Sequence, residues 1–173
     1  MALCRTVSGE THPDTATSLN NLAGLYNALG NYAEAEPLLR QALAMRRTAL
    51  GEQHPDVATS LNNLAALYES MGDSTRAEQF YQQALTIRRT ALGEIHPDVA
   101  QSLNNLALLY AATHRETEAF ALLQQLSAIH AGMIGQVFAI GSERQRLEYL
   151  TTLQGALDIF LSLVSNIFVI PRK

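Results

Sequence analysis

The sequence predicts an all-α protein of helix-turn-helix repeats followed by one or two long C-terminal helices. Nearly the same ten residues begin at His12, His54 and His96, so the pattern returns every 42 positions. Within each copy apolar residues recur at helical spacing, and no segment shows the alternation that a strand requires. A fixed period of about 20 to 50 residues indicates stacked units, because one unit cannot bury its apolar face alone.

Each copy is predicted to contain two amphipathic helices joined by a tight turn. Pro55 suits a first helical turn, where its missing N–H costs nothing, and Asp56 adds negative charge at the positive end of the helix dipole. Gly51 and Gly93 follow the second helices, where glycine best forms a left-handed C-cap. The apolar positions of the second copy are Leu61, Leu64, Ala65, Tyr68, Ala77, Phe80, Tyr81, Ala84 and Leu85.

These positions, with Gly72 at the turn, resemble the tetratricopeptide repeat (TPR), with leucine in place of the usual tryptophan and alanine in place of the small glycine. The 42-residue period, the HPDVA start and the ALGE end are similar to the longer variant found in kinesin light chains and in many bacterial repeat proteins. The resemblance implies a right-handed solenoid whose concave groove binds a partner protein or an extended peptide.

Five segments follow from this register. Residues 1–10 align with the end of a second helix and are interpreted as the end of a truncated preceding repeat. TPR 1 spans residues 11–52, TPR 2 spans 53–94 and TPR 3 spans 95–140, while 141–173 form the C-terminal segment.

The third repeat is degenerate. His114 stands where Gly30 and Gly72 stood, and the second helix is expected to continue to about Ile140. This helix would cross two glycines, each of which lowers the stability of the helix by about 1 kcal/mol relative to alanine. Its predicted apolar stripe consists of Ala119, Leu122, Leu126, Ile129, Met133 and Val137.

In the C-terminal segment Gly141 is interpreted as a break, and Ser142 with Gln145 is predicted to form a capping box for another helix. Its apolar face comprises Leu150, Leu153, Leu157, Phe160, Val164 and Phe168. This segment resembles the connecting helices between the repeats and the caspase-like peptidase domain of bacterial repeat-CHAT proteins. The resemblance implies an inner piece of a longer protein, whose apolar tail helix would promote self-association.

Net charge and local sequence argue against nucleic-acid binding, secretion and membrane insertion. The formal net charge is −4 and the isoelectric point is about 5.7, which disfavours nucleic acid as a partner. The N-terminus lacks the apolar core of about 7 to 15 residues that a signal peptide needs. The apolar run near the C-terminus is too short and too polar to span a membrane. A cytoplasmic location is expected, and the single Cys4 permits no internal disulfide.

No catalytic or cofactor site is predicted. Cys4 takes the position of Arg46 and Arg88 in the later repeats and is not expected to act as a nucleophile. Equivalent histidines on stacked units lie at least one helix spacing apart, about 8–10 Å, whereas zinc needs nitrogen ligands at about 2.0–2.1 Å. The three histidines are therefore interpreted as turn residues before proline, and no metal is expected.

Two repeated polar features have both a structural and a functional interpretation. The pairs Arg46–Arg47 and Arg88–Arg89 could attract an acidic partner. Alternatively, their positive charge could interact favourably with the negative end of the helix dipole and pair with neighbouring carboxylates.

Paired asparagines occupy mid-helix positions, where their helix propensity is poor. In the resembling family the position of Asn21, Asn63 and Asn105 faces the concave groove, and an amide can both donate to and accept from a peptide backbone. Alternatively these asparagines fix the stacking of repeats. The other predicted groove positions are Thr17, Asn20, Gly24, Thr59, Asn62, Ala66, Gln101, Asn104 and Leu108.

Two functions remain open from the sequence. The first is an interaction module, not an enzyme, that binds a protein or extended peptide in the groove. The alternative is the regulatory repeat arm of a caspase-like CHAT peptidase whose catalytic domain is absent from this chain.

Overall fold

The computed structural model describes residues 13–140, with side chains from Asp14 to Gln136. This range contains six α-helices and no strand. They are α1 (Pro13–Ala28), α2 (Tyr32–Leu50), α3 (Pro55–Ser70), α4 (Ser74–Leu92), α5 (Pro97–Ala112) and α6 (Glu116–Ile140). The predictions for residues 1–10, Cys4, His12 and the segment 141–173 lie outside the described residues.

The chain divides into two compact units, Met1–Gly93 and Glu94–Lys173. In the first unit α1 packs against α2, and α3 packs against α4. Helix α2 also packs against α3, and α1 touches α3. In the second unit α5 packs against α6. Each unit is therefore built from helical hairpins.

Helices α3 and α5 begin with a histidine cap. The ring Nδ1 of His54 accepts a 3.1 Å hydrogen bond from the backbone N–H of Asp56, and His96 accepts the same bond from Asp98. Proline follows each histidine in the first helical turn. The repeated histidines at these two sites thus satisfy backbone donors that the helix start leaves free.

The turns inside the three hairpins share one conformation. Gly30 and Gly72 have φ of 76° and 79°, and His114 takes the same left-handed place with φ of 60°. In each hairpin the following backbone N–H donates a 2.8 Å bond to the carbonyl of Tyr26, Tyr68 or Tyr110. The hydrogen-bonded turn therefore persists where glycine is lost.

The predicted left-handed helical caps at Gly51 and Gly93 are wrong in one respect. Both residues have positive φ, 87° and 83°, but their ψ values of 160° and 168° are extended. The chain leaves the helix in extended form toward the next hairpin, so the left-handed helical ψ is not used. Glycine is still needed, because this region is essentially closed to other residues.

The core follows the predicted stripe except at three described positions, which are half-buried. Eight of the nine apolar positions predicted in the second repeat are buried, and Phe80 is half-buried. In α6 Leu123 and Leu126 are buried, whereas Leu122 and Met133 of the predicted stripe are half-buried. As predicted, α6 continues through Gly132, where a Cβ would lie 3.0 Å from Ile95 Cδ1. The absence of a side chain there admits Ile95.

Candidate peptide-binding cleft

A cleft of about 530 Å³ lies between α1 and α3 in the first unit. Its walls carry short side chains from the first helices of both hairpins, and α2 contributes Leu39. The lining residues are Asn20, Asn21, Ala23, Gly24, Leu25, Asn27, Leu39, Asn63 and Ala66. Two equivalent asparagines of the sequence pattern, Asn21 and Asn63, thus line one cavity.

The asparagine pairs divide into two environments. Asn21 is exposed, whereas Asn20 is only 7% exposed and its Nδ2 lies 3.5 Å from Ser60 Oγ on α3. The Oδ1 of Asn20 is buried and accepts no hydrogen bond from the described residues. Asn20 therefore joins the two hairpins at the base of the cleft, and Asn21 is the more accessible amide.

Other residues predicted for the groove do not line this cleft. Thr17 Oγ1 accepts a 3.1 Å bond from Arg46, and Thr59 Oγ1 donates to the carbonyl of Pro55. Asn62 is half-buried on α3. Gln101, Asn104, Asn105 and Leu108 lie on α5 of the second unit. Their role in binding stays a prediction.

Asn27 is a lining residue that the sequence interpretation missed. Its Oδ1 is buried without a hydrogen-bond partner in the described part of the chain. Asn27 lies seven residues after Asn20 and so shares its helix face, which was the available signal. Glu69 and Ala111 occupy the equivalent positions in the other copies, so the 42-residue pattern did not reveal it.

The cleft is electrically neutral because no charged side chain lines it. Its lining also offers few long side chains to immobilise. A second cleft of about 500 Å³ contrasts with it. That cleft is lined by Arg47, Glu52, Gln53, Leu61, Gln79, Gln82, Gln83, Thr86 and Ile87. Ordering several glutamines would oppose binding there, so the α1–α3 cleft is the better candidate.

Buried Arg46 holds the helices that frame the candidate cleft. Its guanidinium donates to Thr17 Oγ1 on α1, and to the Asp56 carbonyl and Ser60 Oγ on α3, at 3.0–3.1 Å. Burial lowers the pKa of Arg46, and the nearby Asp56 carboxylate opposes this shift. A side chain only 6% exposed is not presented to an acidic partner.

Arg47 behaves as the structural interpretation of the arginine pairs expected. It lies in the last turn of α2, and its Nε is 2.9 Å from Glu52 Oε2. The adjacent arginines therefore have different roles, one inside the hairpin interface and one at the surface.

A polar network crosses from α2 to α3. The Tyr68 hydroxyl donates to Glu36 Oε1 at 2.6 Å and accepts from Arg40 Nη2 at 2.8 Å. The hydrogen bond from Tyr68, followed by that from Arg40, holds the pKa of Glu36 below its ordinary value. The carboxylate is thus stabilised in its charged form.

Within residues 13–140 there is no group of three histidine, cysteine or acidic side chains that could hold a metal ion. No helix in the described part of the chain has the length and apolar character needed to cross a membrane.

The fold and the repeated helix pattern define a tetratricopeptide repeat protein. The family model for the tetratricopeptide repeat matches residues 1–48, 14–90 and 56–131, and the chain belongs to this family. No curated protein sequence gives a significant match.

Solved structures of kinesin-light-chain-like proteins share the fold. BtubC (BKLC) from P. vanneervenii is 33% identical in sequence and superposes with a TM-score of 0.68. The match covers 75% of this chain and 52% of BtubC. The chain thus spans about half the length of BtubC. A Podosopora anserina kinesin light chain with nearly identical TPR-like repeats is 29% identical in sequence, with a TM-score of 0.63. This match covers 90% of this chain and 74% of the Podosopora protein. The predicted all-α fold and kinesin-light-chain-like repeat type are confirmed.

Proposed function

We propose that this chain is a protein-interaction module whose α1–α3 cleft holds an extended segment of a partner protein. One observation carries the proposal: four asparagine side chains line a single uncharged cleft between adjacent repeats. Amides at such a site can donate to peptide carbonyls and accept from peptide N–H groups. Membership of a family whose repeats generally bind proteins supports the same function.

The chemistry of the cleft favours an internal segment over a chain terminus. No lysine or arginine among its lining residues could grip a terminal carboxylate. Gly24 and Ala66 leave room for a close backbone approach, and a Cβ added at Gly24 would meet no atom within 4 Å. Binding should depend weakly on salt, because screening acts on charges that this cleft lacks.

The test uses internal peptides selected on the full chain from a displayed random-peptide library, so that the probe is defined. The double variant Asn21→Ala/Asn63→Ala should bind them about ten- to a hundredfold more weakly, since each lost hydrogen bond costs about 0.5–1.5 kcal/mol. Asn62→Ala is the matched control, because Asn62 does not line the cleft. Thermal melts check that each variant is folded.

A second variant separates binding from folding. Gly24→Leu replaces a mid-helix glycine and should raise stability by up to about 1 kcal/mol, while its side chain fills the cleft. The proposal requires higher stability with lost binding. Unchanged peptide affinity in both Gly24→Leu and the double asparagine variant would contradict it.

A further inference from the structure

One pair of positions in the hairpin carries different side chains in each repeat. The first member lies at the end of the hairpin's first helix, where its backbone carbonyl accepts a 2.9–3.2 Å hydrogen bond from the turn residue three positions on. The second member lies on the hairpin's second helix and is buried in all three repeats. The pairs are Asn27–Leu39, Glu69–Tyr81 and Ala111–Leu123. Their places in the repeat are equivalent, but their chemistry is not.

In the second repeat the two side chains satisfy each other. The Tyr81 hydroxyl donates a 2.8 Å hydrogen bond to Glu69 Oε2. Burial, followed by this hydrogen bond, raises the pKa of Tyr81 above its ordinary value, so the hydroxyl stays protonated and remains a donor. The second repeat therefore fills this place from within, with a phenol bonded to a polar side chain.

In the first repeat the phenol is missing but the polar side chain is kept. Leu39 has no donor, and the Oδ1 of Asn27 is buried without a hydrogen-bond partner among the described residues. A buried acceptor without a partner destabilises a fold, and most buried polar groups have a partner. The third repeat avoids this cost, because Ala111 has no polar side chain. Asn27 thus offers an amide that its own hairpin does not satisfy.

The unsatisfied amide borders open space. Asn27 and Leu39 both line the α1–α3 cleft, and so does Gly24, which lies one turn before Asn27 on the same helix. A Cβ added at Gly24 would meet no atom within 4 Å. The cleft therefore has room beside the amide, between glycine and an apolar side chain. We call Gly24, Asn27 and Leu39 the Asn27 pocket.

We infer that the Asn27 pocket binds a tyrosine side chain of the partner segment. Its ring would lie on Leu39 and over Gly24, and its hydroxyl would bond to the Asn27 amide, as the Tyr81 hydroxyl bonds to Glu69 in the next repeat. A hydroxyl both donates and accepts, so it suits the amide oxygen or, after a half-turn of the amide, its nitrogen. This inference rests on the proposed function, in which the same cleft holds the segment, and adds the side chain that the cleft selects.

Phenylalanine is the informative competitor. Its ring would occupy the same space but leave the amide without a partner, and a site built to bond a hydroxyl rejects the analogue that lacks it. The probes are therefore two capped peptides, acetyl-Ser-Ala-Tyr-Ala-Ser-amide and its phenylalanine counterpart. Each is titrated into the isotope-labelled full chain, and NMR follows the Gly24 backbone amide and the Asn27 side-chain amide. The tyrosine peptide should bind about three- to tenfold more tightly.

Two variants borrow the pairs of the other repeats. Asn27→Ala copies the third repeat, so the fold should tolerate it, and it should bring the affinity ratio of the two peptides close to one. The double variant Asn27→Glu/Leu39→Tyr copies the second repeat and fills the pocket from within. It should raise the Tm and abolish the preference for tyrosine.

The Asn21→Ala/Asn63→Ala protein separates this inference from the proposed function. Loss of the two cleft asparagines should weaken both peptides alike and leave their affinity ratio unchanged. Unchanged affinities with a persisting tyrosine preference would refute the role of Asn21 and Asn63 and still support the Asn27 pocket.

Three results would overturn the inference. One is equal affinity of the two peptides for the wild-type chain, and another is a tyrosine preference that survives Asn27→Ala. The third is the lack of saturable binding of either peptide at the Gly24 and Asn27 resonances.

Discussion

The Tyr68 hydroxyl donates a 2.6 Å hydrogen bond to Glu36 Oε1 across the boundary between the first two repeats. The same ring stacks on Phe80 with centroids 5.5 Å apart, and Arg76 lies 4.3 Å from the ring centre. A single fully buried residue thus joins α2, α3 and α4. Polar contacts as well as apolar burial fix the first two hairpins against each other.

Tyr68→Phe should lower the free energy of unfolding by about 1 kcal/mol at neutral pH, since it removes one hydroxyl from a charged network. It should also flatten the acid limb of the stability curve. The pKa of Glu36 is lowered in the fold, so its stabilisation is present above its ordinary pKa of 4.5 and is lost as pH falls through the folded value. Urea unfolding between about pH 6 and pH 3 measures both effects.

The control for this prediction is Glu36→Gln, which removes the titrating group. Its acid limb should be as flat as that of Tyr68→Phe or flatter. A Tyr68→Phe protein that lost stability with acid as steeply as the wild type would show that the hydroxyl does not set the Glu36 pKa.

Adjacent arginines should respond differently to alanine. Arg46→Ala leaves buried acceptors on α1 and α3 without their donor, and should cost about 2 to 4 kcal/mol. Arg47→Ala removes a surface pair with Glu52, whose side chains are 38% and 64% exposed, and should cost about 0 to 1 kcal/mol. Parallel urea denaturation of both variants is the measurement. Equal losses would mean that the buried contacts of Arg46 contribute nothing specific.

His114→Gly should stabilise the protein by about 1 kcal/mol. His114 has φ of 60°, a conformation that costs a residue with a side chain about 1–2 kcal/mol. The converse change, Gly72→Ala, should destabilise by a similar amount, although a Cβ there meets no atom within 4 Å. Differential scanning calorimetry would show opposite shifts in Tm. A destabilised His114→Gly protein would mean that the imidazole makes an important contact.

The ion pair at the start of the hairpin's second helix is reversed between repeats. Asp73, the residue before α4, pairs with Arg76 inside that helix. At α6 the charges are exchanged, because Arg115 precedes the helix and pairs with Glu118 inside it. Each arginine lies over a tyrosine, Tyr68 or Tyr110, at 4.3 or 3.9 Å. The reversal therefore keeps the cation over the ring.

Only the Asp73 arrangement also caps its helix through the side chain, by accepting from the backbone N–H of Arg76 at 2.9 Å. The guanidinium of Arg115 has no acceptor atom for this task. Exchanging the pair, Arg115→Asp with Glu118→Arg, should therefore stabilise α6 by about 0.5–2 kcal/mol. Thermal unfolding of this double variant, with Arg115→Asp alone as the control, tests the prediction. A lower Tm for the double variant would contradict it.

Local pattern was sufficient for much of the fold. Helix spacing and proline after histidine predicted the hairpins, and glycine marked the turns of the first two, since these signals act within one or two helical turns. Asn21 and Asn63, which the family resemblance places in the concave groove, both line the cleft, and their role in binding stays a prediction. The repeat pattern missed Asn27, because repeat comparison detects only features that all copies share.

The sequence by itself determined the all-α class, the 42-residue repeat and the positions of the helices, because helix periodicity and capping are encoded in neighbouring residues. Tertiary structure alone decided that Arg46 is buried while Arg47 is only half-buried, and that Tyr68 loses all exposure while Tyr26 does not. The two tyrosines occupy equivalent positions of the 42-residue pattern, and the two arginines are adjacent in the chain. The residues differ in what packs against them from another helix, and burial depends on that packing.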